Sequence, residues 1–140
     1  MSAAADSVAL DTSAAVPYLM LSHPAHSVTR GQVGGRTVRL TTHSLAETYS
    51  VLTRLPGDAR LKPTDAAVLL AANFAGSIAP HVEVSGNLPA VLAPLGIAGG
   101  AVYDALVGLA AQLAEVVLIT RDARAIPTYT AVGATVEIVD

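Results

Sequence analysis

The sequence predicts an α/β fold: a doubly wound parallel sheet of about five strands with helices on both faces. Two observations predict it. Short apolar runs alternate along the chain with segments that carry helix caps and helical spacing, the pattern of βαβ units. The chain has 140 residues with no internal repeat and no linker, so residues 1–140 are read as one domain. Right-handed crossovers then wind the sheet in both directions. In such sheets ligands bind outside the carboxyl ends of the strands.

The elements follow in order. Residues 8–11, Val-Ala-Leu-Asp, form a short first strand. Asp11, Thr12 and Ser13 offer N-cap oxygens, and residues 14–21 continue as helix with Pro17 near its start. A second helix over 22–33 begins at Ser22 with Pro24 near N1, and Gly34-Gly35 closes it. Residues 37–41 alternate and are rich in β-formers, giving strand two. Thr42 or Ser44 caps a helix to Leu55, on which Leu45, Val51, Leu52 and Leu55 keep near-helical spacing. Pro56-Gly57-Asp58 stops it. A fourth helix is expected over 63–76, a short strand over 81–84 and a short helix over 88–95 stopped by Gly96. Gly99-Gly100 leads into an almost wholly apolar helix over 102–113. Residues 116–120, Val-Val-Leu-Ile-Thr, are the clearest strand. Residues 122–130 are helical, interrupted by Pro127, and 135–139 form the last strand.

Composition narrows the function classes. With no Cys, disulfide scaffolds, Cys-ligated zinc, Fe–S clusters and thiol nucleophiles are excluded. Only 14% of residues are charged against about 25% in typical chains, so apolar surface covered by a partner is expected. Five aromatics (Tyr18, Tyr49, Phe74, Tyr103, Tyr129) are too few for a base-stacking platform of the RRM or OB type. The most apolar stretch, 97–120, is long enough to span a membrane, but it holds Asp104, Glu115 and a Gly pair. A buried helix followed by a buried strand explains it better. The first ten residues lack a basic region and a sustained apolar run, so no signal peptide is read there. A soluble cytoplasmic protein is expected.

The chemistry lies in four of the eleven acids. Asp11, Glu47 and Asp122 each come just after the carboxyl end of a strand, and Asp104 lies at the amino end of the apolar helix. If that helix starts at the same edge, the four converge. Helix capping alone accounts for Asp11 and Asp122, and partly for Asp104, but poorly for Glu47. Few cations are placed to pair with them: Arg121 and Arg124 near Asp122, and Arg54 beyond Glu47. Convergent carboxylates repel and raise each other's pKa. A hard divalent cation resolves the repulsion, and all-oxygen ligands select Mg²⁺ or Mn²⁺. Ser13 and Thr120 add hydroxyls beside the cluster.

Four segments then carry a resemblance: Leu10-Asp-Thr-Ser13, residues 46–55 (Ala-Glu-Thr-Tyr-Ser-Val-Leu-Thr-Arg-Leu), Tyr103-Asp-Ala-Leu-Val107 and Leu118-Ile-Thr-Arg-Asp122. In order and spacing they resemble the four motifs of PIN-domain ribonucleases, most closely the VapC toxins of bacterial toxin–antitoxin pairs. The likeness spans 8–139. It implies an α/β/α sandwich, a homodimer, and Mg²⁺- or Mn²⁺-dependent endonucleolytic cleavage of structured RNA such as tRNA or rRNA. It also implies a VapB-type antitoxin whose tail blocks the acidic groove. Asp11, Glu47, Asp104 and Asp122 would be the metal-binding catalytic quartet, with Ser13 and Thr120 as its hydroxyl residues. The chain departs from the pattern at Arg124, where some relatives carry a further acid, and over 61–95, which matches only in being helical and apolar.

Asp11 and Asp104 are read as the direct ligands, with Glu47 and Asp122 holding water or a second ion. No His is placed as a general base, so activation of water falls to the metal. His23 and His26 are read as an exposed helical pair, and His43 as a surface or capping residue with the groove rim as the alternative. Residues 31–36, Gly-Gln-Val-Gly-Gly-Arg, read as a helix C-cap rather than a phosphate loop. The apolar residues of helix 65–75 serve either the core or a dimer or antitoxin surface. Two rival functions share the acids: a phosphoryl-transfer protein (phosphatase or receiver-like) and a non-catalytic partner-binding domain. Lys62, the only lysine, lies mid-chain, not after a late strand as a receiver needs.

The net charge of −3 is no argument against RNA. Without the four proposed ligands, seven acids stand against eight Lys and Arg.

Overall fold

The computed structural model describes residues 6–140. Among these residues five strands, β1 (Ser7–Leu10), β2 (Thr37–Thr41), β3 (Ser77–Ile78), β4 (Val117–Thr120) and β5 (Val136–Ile138), form one sheet in the order β3-β2-β1-β4-β5. Every neighbouring pair is parallel, with Val8 beside both Val38 and Val117. The chain builds outward from β1 to β3, then returns to β1 and builds the other way through β4 and β5. The order therefore reverses between β1 and β4, the crevice where doubly wound sheets take ligands.

Among the described residues, eight α-helices cover the sheet: α1 (Thr12–Leu19), α2 (His26–Val33), α3 (Thr42–Leu52), α4 (Pro63–Asn73), α5 (Val82–Gly86), α6 (Leu88–Leu92), α7 (Ala101–Leu113) and α8 (Ile126–Ala131). Side chains alternate between two cores, as the strand period requires. Val8, Leu10 and Ile119 pack with Ala15, Tyr18, Leu52, Leu70 and Phe74. Ala9 and Leu118 point to the other face and pack with Val107, Ala110, Ala111 and Tyr129. The α/β/α sandwich is thus the expected one. The apolar stretch 97–120 resolves into α7 and β4, and among the described residues no helix is long and apolar enough to cross a membrane.

One strand is corrected. Residues 81–84 do not extend but begin α5: His81 is its N-cap, its Nδ1 accepting the Glu83 N–H at 3.3 Å. Val82 is 75% exposed, so the alternation there faces no core. The edge strand is instead β3, two residues beside Leu40 and Thr41. Four alternating residues cannot separate a strand from a helical turn, and two are too few to signal a strand. Helix starts also differ. The 22–33 helix begins only at His26, after a turn holding Pro24, and the last helical segment opens as a 3₁₀ turn over Ala123–Ala125. Gly34 does close α2, in a left-handed conformation (φ 63°) that a side chain would strain, with its N–H on the Arg30 carbonyl.

Gly108 sets the distance between α7 and α8. A Cβ there would lie 2.7 Å from Val132 Cγ2 and 3.2 Å from the Tyr129 ring. Gly108→Ala is expected to destabilise the protein by about 1–3 kcal/mol through overpacking. Denaturant unfolding should show the midpoint falling with an unchanged slope.

Candidate active site

The crevice is assembled by three strand ends. Asp11 follows β1 and caps α1, its Oδ1 accepting the Ala14 N–H at 3.2 Å. Thr41 ends β2 and caps α3, and Glu47 lies further along that helix. Asp122 follows β4 and accepts the Arg124 N–H at 3.0 Å. α7 starts at the same edge with Asp104 in its first turn. All four acids line one groove of about 440 Å³, together with Ser13, His23, His43, Arg121 and Tyr129. The convergence expected from the sequence is therefore present.

Asp11 is the anchor. It is 4% exposed and accepts four hydrogen bonds. Oδ1 takes Ser13 Oγ (2.5 Å) and the Ala14 amide; Oδ2 takes the Thr120 hydroxyl and Tyr129 Oη (2.8 Å). The hydroxyls are themselves held from behind. Ser13 Oγ accepts the Arg121 N–H at 2.8 Å, and Thr120 Oγ1 accepts the Asp122 N–H at 3.0 Å. Two consecutive amides after β4 thus feed two hydroxyls, which feed the two oxygens of Asp11. Ser13 and Thr120 therefore lock the loop bearing Asp122 onto the carboxylate after β1. Burial raises the Asp11 pKa, and the four hydrogen bonds oppose that rise.

Asp104 is different. It is half-buried, and its pKa is raised first by burial, then by the carboxylates of Asp122, Asp11 and Glu47. His43 works weakly against this. The acids are therefore within electrostatic reach of one another. Glu47 is exposed, 3.2 Å from His43 Nε2. Asp122 pairs with the exposed Arg124, at 3.5 Å.

Three histidines stand elsewhere than the sequence suggests. His23 lies in the turn before α2 and lines the groove; burial, then Arg121 and His26, push its pKa down. His26 turns inward, its Nδ1 2.8 Å from the Pro17 carbonyl, so the two do not form an exposed helical pair. His43 faces the groove rather than open surface. Tyr129 is a site residue that sequence reasoning misses. It is 2% exposed, and burial followed by the charge of Asp11 raises its pKa, so it is a neutral donor to that carboxylate. Its only sequence signal is that a buried tyrosine hydroxyl needs a partner.

The donor set suits a hard divalent ion: it is all oxygen, and its acid excess is uncompensated. Among the described residues, no three carboxylate or imidazole groups come close enough to cage an ion. The carboxylates instead line the walls of an open groove. Asp11 already uses its full accepting capacity, so direct ligation there exchanges one donor. Ser13, half-buried, is the most accessible one.

Comparison with known proteins shows the family. The family described as PIN domain matches residues 8–129. Ribonuclease VapC27 of Mycobacterium tuberculosis (strain ATCC 25618 / H37Rv) is 51% identical over 126 residues, covering 90% of this chain and 92% of that one. Ribonuclease VapC40 of Mycobacterium tuberculosis (strain CDC 1551 / Oshkosh) is 38% identical over 133 residues, covering 94% and 98%. A chain from the crystal structure of VapBC2 of Rickettsia felis, bound to a DNA fragment from their promoter, shares the fold at a TM-score of 0.67. The match covers 96% of this chain and 99% of that one at 14% identity.

Proposed function

This chain belongs to the PIN-domain family, as a VapC ribonuclease of a VapBC toxin–antitoxin system, and from that premise we propose that its acidic groove cuts structured RNA with Mg²⁺ or Mn²⁺. The substrate class is tRNA or ribosomal RNA, and a VapB-type antitoxin silences the enzyme by covering the groove. One observation carries this reading: four carboxylates from four different elements line a single groove at the switch point of the sheet, where burial and then the other three acids push the Asp104 pKa up.

Asp11 and Asp104 would be the principal ligands, with Glu47 and Asp122 holding water or a second ion. A bound divalent ion lowers the pKa of water and neutralises charge that builds on the phosphate oxygens. The chain supplies the rest. Ser13, Thr120 and Tyr129 fix the orientation of Asp11. His43 is engaged with Glu47 and orients it. Arg121, exposed at the groove, is placed to meet a phosphate. Of the rivals, a receiver needs a lysine after a late strand that this chain does not carry, and a binding module has no need of the carboxylate network.

The low charge anticipates surfaces covered by partners. An apolar groove of about 820 Å³ between α3 and α4, lined by Leu45, Tyr49, Leu70 and Phe74, supports that expectation. A homodimer and an antitoxin complex are the assemblies we assign to such surfaces.

Mapping of RNA 5′ ends after induced expression tests the substrate class. Discrete new ends in tRNA or rRNA loops are expected, and their absence in the presence of folded protein would remove that class. Tyr129→Phe is expected to lower kcat about 10–100-fold, the usual effect of losing a partner that orients a metal ligand. Stability should fall by about 1.5–3 kcal/mol, the usual worth of a hydrogen bond to a charged acceptor. Steady-state cleavage kinetics beside thermal melts separate the two effects.

A further inference from the structure

We propose that Tyr103, backed by His43, is a stacking site for one unpaired nucleobase next to the scissile phosphate. The proposal rests on the ribonuclease reading above and adds to it how the substrate is gripped. Tyr103 sits in the first turn of α7, one residue before Asp104. It is 58% exposed. Its ring stacks on the His43 ring, with centroids 5.6 Å apart and planes 18° from parallel. His43 in turn lines the acidic groove and holds Glu47 at 3.2 Å. The tyrosine ring is thus supported on one side by an imidazole that lines the groove, and the next residue in the chain, Asp104, lines it too.

An exposed aromatic costs water contacts that a polar residue would keep, and the packing on His43 fixes its orientation in advance. Unpaired bases of RNA stack on such rings, whereas paired bases in a duplex cannot reach them. Stacking is tolerant of sequence because every base has a π-face. The composition rules out a multi-base platform, but one ring beside the carboxylates is enough to hold one base. A purine offers more overlap than a pyrimidine and should be preferred. The ring's position directs the groove toward loops and bulges of structured RNA rather than toward continuous helix.

The test is binding of a fluorescein-labelled decaadenylate and of a labelled abasic strand of the same length, by anisotropy, in Ca²⁺ buffer. The two strands share their phosphates, so the difference between them reads base contacts alone. Wild-type protein should bind decaadenylate about tenfold more tightly than the abasic strand. Tyr103→Phe should keep that ratio, Tyr103→Ala should collapse it to near one, and His43→Ala should reduce it. A ratio near one for wild type, or an unchanged ratio in Tyr103→Ala, overturns the proposal. So does a change in oligomeric state for Tyr103→Ala on analytical ultracentrifugation with the ratio intact, which would assign the ring to a contact between copies. Cleavage of total RNA by wild type in Mg²⁺ is scored separately: cutting together with a binding ratio near one sinks the stacking site alone, and no cutting sinks the ribonuclease reading.

Discussion

Asp104→Asn is expected to abolish RNA cleavage, by at least about 10³-fold, while making the metal-free protein more stable. The substitution keeps the volume and removes the charge. In the folded protein that charge faces Asp122, Asp11 and Glu47, which with burial raise its pKa above the ordinary 3.8. A group with a raised acid pKa binds its proton more tightly folded than unfolded. The ionised form therefore costs stability above the folded pKa, and the cost disappears as pH falls through it. In EDTA at neutral pH the variant should melt about 2–4 °C higher, the shift that about 1 kcal/mol makes at this chain length. The gap between variant and wild type should close on acidification, because wild-type Asp104 then becomes neutral too. Mg²⁺ should stabilise wild type by mass action and the variant much less. An unchanged or lower melting temperature for the variant in EDTA would show that the groove is not crowded with charge.

The same chemical change at Asp11 should act in the opposite direction on stability. Asp11→Asn is expected to lose activity to a similar extent, yet to destabilise the fold by about 1–3 kcal/mol with or without metal. An Asn amide offers one accepting oxygen and one donating nitrogen. Two of the four donors now on the carboxylate would face an NH₂ group instead. Relief of burial works the other way, since neutralising a buried carboxylate is favourable in itself. The loss still prevails because the two donors facing the NH₂ group are left buried without an acceptor, at about 1–3 kcal/mol each. Circular dichroism melts of the two Asn variants side by side give the comparison. A melting temperature above wild type for Asp11→Asn, or below it for Asp104→Asn, would reverse the assigned roles of anchor and repelled ligand.

The legible part of this site is the local part. Asp11 and Asp122 can be placed because strand ends and helix caps are written in neighbouring residues. Ser13 and Thr120 follow from them, and the structure gives both a hydrogen bond to Asp11. Glu47 and Asp104 require the further condition that their helices start at the same edge, which right-handed crossovers supply. What escapes is tertiary. Tyr129 reaches Asp11 across 118 residues of sequence, because Gly108 lets α8 lie close against α7. No local pattern encodes that approach. His43 has the sequence context of a cap, and its stacking on Tyr103 of α7, beside its pair with Glu47, holds it at the groove. The edge strand escapes for the opposite reason: two residues carry no period, and nearby alternation in 81–84 imitates a strand.

The four-carboxylate groove should cut RNA only with a divalent ion bound. Incubating purified tRNA and rRNA with the EDTA-treated protein, then adding back Mg²⁺ or Mn²⁺, tests this most directly. The expected result is no cleavage in EDTA, discrete fragments on adding either ion, and none with Asp11→Asn under any condition. Cleavage that persists in EDTA, or that survives in a folded Asp11→Asn protein, would contradict it.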